Sequence, residues 1–404
     1  MVIGIIGAGA SGMMAALAAA ENPNAQVILF ERQARVGRKL QATGNGRCNL
    51  TNVHAVWSGY HGEDKAFSRY ALEKMDARET MDFFENLGLL TVTESSGKVY
   101  PYSDHANSVV DILRLALKKE NITLHTAFEV EKIQKTEEGF VVASGNEKIL
   151  CDKLIVACGG LAGTKLGGSM SGYKLLSKFG HKATKLRPSL VQLKCSWGGV
   201  VALKGVRANC CVKVLKDGDL FAQSTGELQF TDYGLSGPVI FEVSRDACYG
   251  GGEWVAKLDF LPDLSREQLL QQLYIRQKGT VTGEELLTGI LHNQLGRTLV
   301  KAAGISLNAQ VKTLTDLQFM DVVSTVKEFE IVLTEPMGME NAQVTAGGVL
   351  TKDFCPETME SKLVPGLYAC GEVLDIDGDC GGYNLQWAWS SGFLAGSSAG
   401  KETL

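Results

Sequence analysis

Residues 2–20 read VIGIIGAGASGMMAALAAA, and this stretch decides the fold. Its apolar start predicts a short strand, the spacing Gly7-x-Gly9-x-x-Gly12 predicts a tight turn, and its alanine-rich end predicts a helix. Gly7 allows the turn, Gly9 lets a phosphate approach the backbone, and Gly12 lets the helix pack on the strand. Because the positive end of a helix stabilises negative charge, we predict a phosphate-binding turn here.

A second strand is predicted over residues 26–30 and ends at Glu31. Glu31 follows Gly7 by 24 residues, a spacing at which a carboxylate reaches the hydroxyl groups of a bound ribose. A glycine motif alone is a weak signal, but this one follows a strand, opens a helix and has its acid in place. The β–α–β unit therefore predicts a dinucleotide-binding α/β fold.

The composition is that of a globular protein and excludes several classes. The chain has 404 residues with 46 Gly but only 8 Pro, so the glycines are not part of a low-complexity or collagen-like sequence. The net charge of −5 argues against a broad basic surface for nucleic acid. We expect a small-molecule substrate and no nucleic-acid partner, and the sequence leaves the oligomeric state open.

The cysteines and the amino-terminal residues indicate the compartment. The 10 Cys include no CxxC pair, and no cation precedes Arg32, which argues against a signal peptide. We therefore expect a cytoplasmic protein without a membrane span. We expect no metal site, because the spacing Asp375-x-Asp377-x-Asp379 lacks the Gly and Glu of a calcium loop.

The distribution of glycine-rich strand and helix patterns along the chain predicts one domain that is discontinuous in sequence. Residues 1–190 and 336–404 carry the glycine-rich strand and helix patterns of a nucleotide fold, including a helix near 65–87 and a last helix near 385–399. Residues 191–335 lack this dense glycine pattern, so we predict that they form an inserted domain. Its first part, 191–262, is predicted to be barrel-like, and 263–325 to be helical, with a strand following from Val326 to Leu333.

Two well-separated glycine sites indicate a long cofactor in an extended form. The polar loop Thr43-Gly44-Asn45-Gly46-Arg47-Cys48-Asn49 follows the first site, and Gly371-Glu372 and Gly381-Gly382-Tyr383-Asn384 form the second. The chain has one GxGxxG motif, so it offers no separate NAD domain. These features favour FAD over NAD. Arg47, Cys48 and Asn49 either contact the flavin or tie the loop, and Cys48 has no CxxC partner for redox work.

Several long motifs resemble the BaiN/RdsA family of NAD(P)/FAD-dependent oxidoreductases, which includes aminoacetone oxidase and a bile-acid reductase. The resemblance covers essentially the whole chain and implies a glutathione-reductase-type FAD-binding Rossmann fold, built from both chain ends, with an inserted β-rich and helical domain. The motifs are GAGASG (7–12), GRKLQATGNGRCNLTN (37–52), TGELQFTDYGLSGP (225–238), VTAGGV (344–349), TMESK (358–362) and GEVLDIDGDCGGYNLQWAWSSG (371–392).

The resemblance also implies which residues contact FAD. Ser11 and Glu31 would bind the pyrophosphate and the adenosine ribose, and the backbone of Val130 would read the adenine edge. Asn384 and Leu385 begin the last helix, whose positive end would face flavin N1 and O2. The full set of predicted cofactor-binding residues is Gly7, Gly9, Ala10, Ser11, Gly12, Glu31, Arg32, Arg38, Lys39, Thr43, Gly44, Gly46, Val130, Gly371, Glu372, Gly382, Asn384 and Leu385.

Three functions follow from the resemblance. In the first, NAD(P)H reduces FAD, and flavin N5 passes hydride to a C=C bond conjugated to the 3-oxo group of a steroid or bile acid intermediate. Tyr233 or Tyr383 would polarise this 3-oxo group by donating a hydrogen bond. In the second, a small amine such as aminoacetone reduces FAD, and oxygen then yields peroxide. In the third, the protein binds flavin without catalysis. Gln343 stands where fumarate-reductase-type flavoproteins have His, so we expect no substrate anchoring by that residue.

Overall fold

The computed structural model describes residues 1–401. This part of the chain divides into two compact units, with Ser189–Ala342 forming the second and the residues on either side of it forming the first. Within residues 1–401, no helix combines the length and the apolar character that a membrane crossing requires.

Residues 1–401 contain 21 strands. In chain order the strands are β1 (Val2–Ile6), β2 (Gln26–Phe30), β3 (Thr51–Asn52), β4 (Tyr60–His61), β5 (Thr91–Thr93), β6 (Lys98–Pro101), β7 (Ile122–His125), β8 (Lys132–Thr136), β9 (Gly139–Ser144), β10 (Glu147–Cys151), β11 (Lys153–Val156), β12 (Arg187–Ser189), β13 (Leu193–Cys195), β14 (Arg207–Lys216), β15 (Asp219–Phe230), β16 (Gly234–Ser236), β17 (Trp254–Asp259), β18 (Phe329–Pro336), β19 (Val344–Ala346), β20 (Leu367–Ala369) and β21 (Asp377–Gly378).

The helices of the described residues include one long carboxy-terminal helix. In chain order they are α1 (Ala10–Ala19), α2 (Arg38–Ala42), α3 (Ser68–Lys74), α4 (Ala77–Asn86), α5 (Ala106–Ala116), α6 (Ser171–Ser177), α7 (Pro238–Val243), α8 (Arg266–Gln277), α9 (Asn293–Ala302), α10 (Asp316–Lys327) and α11 (Tyr383–Ala399).

A parallel sheet of order β20-β11-β1-β2-β7 forms the core of the first unit. Ile5 of β1 pairs with Ile155 on one side and Leu29 on the other, and all three side chains are buried. Strands that are this apolar suit a parallel sheet because both of its faces are covered. The β1–α1–β2 unit forms as residues 2–31 predict, and the predicted α/β Rossmann fold is confirmed.

Helix α11 lies against α1 through a row of glycines four residues apart. A Cβ atom at Gly392 would overlap the backbone of Ser11, and one at Gly396 would overlap the carbonyl oxygen of Ala15. Residues four apart lie on one face of a helix, so the glycines let the two backbones approach closely. This packing joins the amino-terminal end of the chain to its carboxy-terminal segment.

The helix predicted near 65–87 is divided in two. Helix α3 ends at Lys74, and the side chain of Asp76 accepts a hydrogen bond of 2.9 Å from the Glu79 amide at the start of α4. Aspartate is a strong amino-terminal cap, so it starts a new helix where the apolar spacing alone predicts one continuous helix.

The second unit is built around a closed barrel of order β13-β16-β15-β14-β17-β18. The sixth strand, β18, comes after the helices α8 to α10, so residues 191–262 do not close the barrel by themselves. The strand predicted from Val326 begins at Phe329 instead. Val326 belongs to α10, whose apolar face buries it in the core of this unit.

His181 is a buried titratable side chain of the first unit, with 3% of its surface exposed. Its ring stacks on Phe354, and its Nε2 atom lies 2.9 Å from the hydroxyl of Ser361. The Ser361 hydroxyl already accepts from the amides of Leu363 and Val364, so it donates its own proton to Nε2. The neutral ring is therefore the form that fits, and burial lowers the pKa of His181 below 6.5.

Lowering the pH should destabilise the first unit through His181. Its pKa is lower in the folded chain than its ordinary 6.5, so this contribution to stability is complete above pH 6.5 and is lost as the pH falls through the folded-state pKa. Denaturant titration gives the free energy of unfolding at neutral and at mildly acidic pH. We expect the difference between these two values to be smaller in His181→Phe than in wild type. His54→Phe, at an exposed position of the same unit, is the control and should leave the pH dependence unchanged. An equal pH dependence in wild type and His181→Phe would contradict this account.

Candidate functional site

The glycine-rich turn after β1 leaves open space in front of the α1 amino terminus. Gly7 has a left-handed φ of +104° and donates its amide hydrogen to the Phe30 carbonyl at 2.8 Å. Gly9 has a φ of −82°, which any residue adopts, yet a Cβ atom there would have no protein atom within 4 Å. No side chain of residues 1–401 caps α1. The open space and the uncapped amides suit the close approach of a phosphate.

Glu31 holds this turn in addition to its predicted contact with ribose. The side chain is 9% exposed, and its two oxygens accept hydrogen bonds from the amides of Ala8 at 2.9 Å and Gln33 at 2.8 Å. Each carboxylate oxygen has a second lone pair, so Glu31 can still accept from a ribose hydroxyl. The motif spacing predicted the acid but not that it anchors the turn.

The predicted phosphate-binding cations have protein partners. Lys39 Nζ forms a 2.7 Å ion pair with Glu372, whose other oxygen accepts from the Thr345 amide at 2.8 Å. Arg32 donates to the carbonyl oxygen of Gly167 at 2.5 Å, and the exposed Arg38 donates to Gln33 at 3.0 Å. Lys39 and Glu372 were predicted as separate cofactor contacts, and the fold brings them together as a pair.

The polar loop after α2 has left-handed glycines and an inert thiol. Gly44 and Gly46 have left-handed φ values of +56° and +86°. Cys48 is fully buried, and burial raises the pKa of its thiol to about 12. The thiol therefore stays protonated at neutral pH, which argues against a redox role. Thr43 bonds locally, its hydroxyl donating to the Leu40 carbonyl at 2.7 Å.

Arg47 ties this loop to a neighbouring sheet. Its guanidinium lies 3.9 Å from the centre of the Tyr100 ring in β6. It also donates to Glu94 at 3.0 Å and to Asp104. With its charge engaged by two carboxylates, Arg47 acts as an anchor of the loop.

The second glycine site lies beside the first. Gly371 has a φ of +77°, and a Cβ atom there would stand 2.5 Å from the hydroxyl oxygen of Ser11 in α1. Gly382 precedes the first residue of α11 with a φ of +103°. Residues more than 350 positions apart are thus adjacent, as an extended cofactor spanning both glycine sites requires.

Three further residues that were predicted to contact the cofactor also make contacts within the protein. The Asn384 amide donates to the Gly378 carbonyl at 2.7 Å and accepts from the Gly378 amide at 2.9 Å, so it closes its own loop. Leu385 packs against the apolar core, and Val130 is buried there. Their cofactor contacts stay predictions.

The two tyrosines predicted as substrate donors lie in different units. Tyr383 donates to the His54 carbonyl at 3.1 Å, and burial raises the pKa of its hydroxyl. Tyr233 belongs to the second unit, where its amide bonds to the Thr231 hydroxyl at 3.4 Å. Their roles in catalysis stay predictions.

Comparison with known proteins places the chain in a family. The profile of the HI0933-like protein Rossmann domain matches residues 1–398. The chain belongs to the HI0933-like family. A 3-dehydro-bile acid delta(4,6)-reductase of Clostridium scindens is 40% identical over 98% of both chains. A ribosomal RNA dihydrouridine synthase of Escherichia coli is 32% identical over 96% of this chain and 95% of that one.

The solved structures include distant matches. One is a 3-ketosteroid delta1-dehydrogenase of Sterolibacterium denitrificans, 12% identical with a TM-score of 0.49, which covers 98% of this chain and 99% of that one.

Membership of this family confirms the predicted recognition and agrees with the Rossmann fold of the first unit. The described residues fit FAD on two structural grounds. The open space at Gly9 admits a phosphate against uncapped amides, and the contact between Gly371 and Ser11 joins the two glycine sites along one path. The electron donor and the substrate remain predictions.

Proposed function

We propose that this protein is an FAD-dependent reductase that uses NAD(P)H to reduce a C=C bond conjugated to the 3-oxo group of a steroid or bile acid intermediate. The observation that carries the proposal is the 40% identity over 98% of both chains to a reductase named for such bonds. FAD supplies the hydride when it is bound.

The residues of the first unit bind and orient the cofactor in this proposal. The amides at the start of α1 and the open space at Gly9 receive the pyrophosphate, and Glu31 accepts from the adenosine ribose. The ion pair between Lys39 and Glu372 connects the segments that carry the two glycine sites and fixes their relative position.

A hydrogen-bond donor must polarise the substrate 3-oxo group. Tyr383 keeps its proton at neutral pH, as any tyrosine with the ordinary pKa of 10.0 does, and burial raises the pKa of its hydroxyl further, which suits a donor. Its hydroxyl now donates to His54, so it must exchange that bond for one to the substrate. Tyr233 is the second candidate, and single Tyr→Phe variants of each distinguish the two by their loss of kcat.

Reduction of a C=C bond in uridine is the second candidate function. Dihydrouridine is uridine whose ring C=C bond has gained two hydrogens, so a dihydrouridine synthase and an enone reductase share one reaction class. The 32% identity to such an enzyme favours this alternative. The net charge of −5 disfavours a broad RNA-binding surface, so we place the steroid first.

Anaerobic turnover tests the proposal. Purified FAD-loaded protein is mixed with NADH or NADPH and a 3-oxo-4-ene steroid, and the product is analysed by mass spectrometry. We expect the steroid to gain two hydrogens and NAD(P)H to be consumed in equal amount. Gly9→Val, which should not hold FAD, is the matched control.

Two parallel arms test the alternatives. A ribosomal RNA fragment is treated in the same way, and aminoacetone is supplied in air with detection of peroxide. Dihydrouridine without steroid reduction would replace the proposal by the second candidate. Peroxide from the amine with no NAD(P)H oxidation would identify an oxidase instead.

A further inference from the structure

Three large apolar side chains are exposed on one short segment of the first unit. Val53, Val56 and Trp57 have 42%, 56% and 38% of their surface exposed, whereas Ala55 between them is buried. Single exposed apolar residues are common, but several of them close together mark a contact surface for an apolar ligand or partner. These three exposed side chains form the Val53–Trp57 surface.

Hydrogen bonds hold the backbone of this segment in place. The Val53 amide donates to the Gly97 carbonyl at 2.9 Å, and the Gly59 amide donates to the Val56 carbonyl at 3.0 Å. The Gly59 carbonyl in turn accepts from the Asp379 amide at 3.0 Å. The Val53–Trp57 surface is therefore preorganised, so a ligand binds it without the cost of ordering the segment.

A hydrogen-bond donor meets the backbone of the same segment. The Tyr383 hydroxyl donates to the carbonyl of His54, the residue that follows Val53, at 3.1 Å. Tyr383 is only partly buried, so its hydroxyl can exchange this carbonyl for an oxygen atom of a ligand. An apolar surface next to a phenol hydroxyl suits an apolar ligand with an oxo group. A uracil ring needs further partners for its N–H group and second oxygen, which these apolar side chains do not offer.

A lysine lies at the Trp57 end of the surface. Lys65 is exposed, and its Nζ atom lies 5.8 Å from the centre of the Trp57 ring. It donates to the Ser58 carbonyl at 3.5 Å and forms no ion pair within residues 1–401. The charge of Lys65 is therefore available to an anionic group of a ligand that lies on Trp57. Bile acids carry such a group, because the side chain of their steroid rings ends in a carboxylate.

We propose that the Val53–Trp57 surface contacts the steroid rings of the substrate and that Lys65 binds its side-chain carboxylate. The assignment rests on the proposed function, in which Tyr383 donates to the 3-oxo group. It narrows the substrate class to steroids that carry an acidic side chain. The contacts bind substrate and take no part in hydride transfer, so their loss should raise Kd and KM and leave kcat almost unchanged.

Equilibrium dialysis of oxidised, FAD-loaded protein, without NAD(P)H, measures steroid binding without turnover. The probes are a 3-oxo-4-ene steroid with a side-chain carboxylate and the same steroid with a primary alcohol in place of the carboxylate. Wild type should bind the acid about threefold more tightly than the alcohol. Lys65→Gln should bind both equally, whereas Lys148→Gln, at an exposed lysine of the same unit, should keep the preference.

Two further variants test the apolar contacts. Trp57→Ala should weaken the binding of both steroids about tenfold, because it removes the largest side chain of the surface. Val56→Ser should weaken both about threefold, and it replaces Trp57→Ala if that variant does not fold, since Val56 is the most exposed of the three residues. Leu115→Ala, at a 59% exposed residue of α5, is the control and should leave both affinities unchanged.

Three results would overturn the assignment. One is wild-type steroid affinity in folded Trp57→Ala or in Val56→Ser, and another is a wild-type preference for the acid in Lys65→Gln. The third is a wild-type dimer in sedimentation that Trp57→Ala dissociates while steroid affinity stays unchanged, which would assign the surface to a second copy of the chain.

Turnover by the same proteins separates this inference from the proposed function. If wild type reduces the acidic steroid and Trp57→Ala keeps the wild-type KM, the proposed function stands and the surface is rejected. If wild type binds both probes in the expected pattern but reduces neither, the surface stands and the proposed reaction is rejected. Wild-type protein that binds neither probe would reject both.

Discussion

Replacing Gly9 with valine should abolish FAD binding and leave the fold intact. The backbone at Gly9 is compatible with any residue, and a Cβ atom there would have no protein atom within 4 Å. The valine side chain would instead fill the space through which the pyrophosphate reaches the amides of α1. We expect FAD affinity to fall by about 100-fold or more. The apoprotein should lose about 1 kcal/mol or less, since valine is a poorer helix cap than glycine.

Gly12→Ala is the matched control for this prediction. A Cβ atom at Gly12 would overlap the carbonyl oxygen of Gly7, so α1 must move away from β1. We expect a loss of about 3 kcal/mol in the free energy of unfolding, measured by denaturant titration without FAD. Of these two glycines, Gly9 should therefore affect mainly FAD affinity, and Gly12 should affect mainly the free energy of unfolding. Wild-type FAD affinity in Gly9→Val would show that the phosphate does not bind at this turn.

Replacing Gly396 with valine should strongly destabilise the first unit. The new Cβ atom would overlap the carbonyl oxygen of Ala15, and neither the α11 backbone nor the α1 backbone can yield without loss of packing along both helices. We expect the free energy of unfolding to fall by about 3 kcal/mol or more. Trp387 and Trp389 are buried in α11, so their fluorescence reports the unfolding of this unit directly.

Ser397→Val is the control for the Gly396 prediction. Ser397 follows Gly396 in the same helix but is only half-buried, so the variant adds a branched side chain without the clash. It should cost about 1 kcal/mol or less, which reflects the lower helix propensity of valine. Equal losses in the two variants would mean that close approach of the helices is not what requires glycine at 396.

Much of the candidate site follows from local sequence. The strand, turn and helix of residues 2–20 form as predicted, because an apolar run, a glycine spacing and an alanine-rich segment each have one favourable local conformation. Glu31 lies at the end of β2 for the same reason. The division of the helix near 65–87 was missed, although the cap residue Asp76 was visible in the sequence and could have predicted it.

The partners of the polar side chains could not be predicted in this way. Nothing in the sequence near Lys39 indicates that its charge meets Glu372, and nothing near Asn384 indicates that its amide turns back to Gly378. Hydrogen bonds and ion pairs have short range, so they depend on backbone positions that the whole fold sets. The barrel shows the same effect, because its last strand, β18, follows three helices in the chain.

The sequence by itself determined the phosphate-binding turn, the acid at the end of β2 and the nucleotide-binding fold, because these depend on local backbone conformation and on periodic burial. Only the tertiary structure decided that Gly371 adjoins Ser11, that Glu31 anchors the turn it faces, and that the Tyr383 hydroxyl meets the carbonyl of His54. Contacts between distant segments arise when the sheet and the α1–α11 pair assemble, since packing brings together residues whose local preferences carry no information about one another.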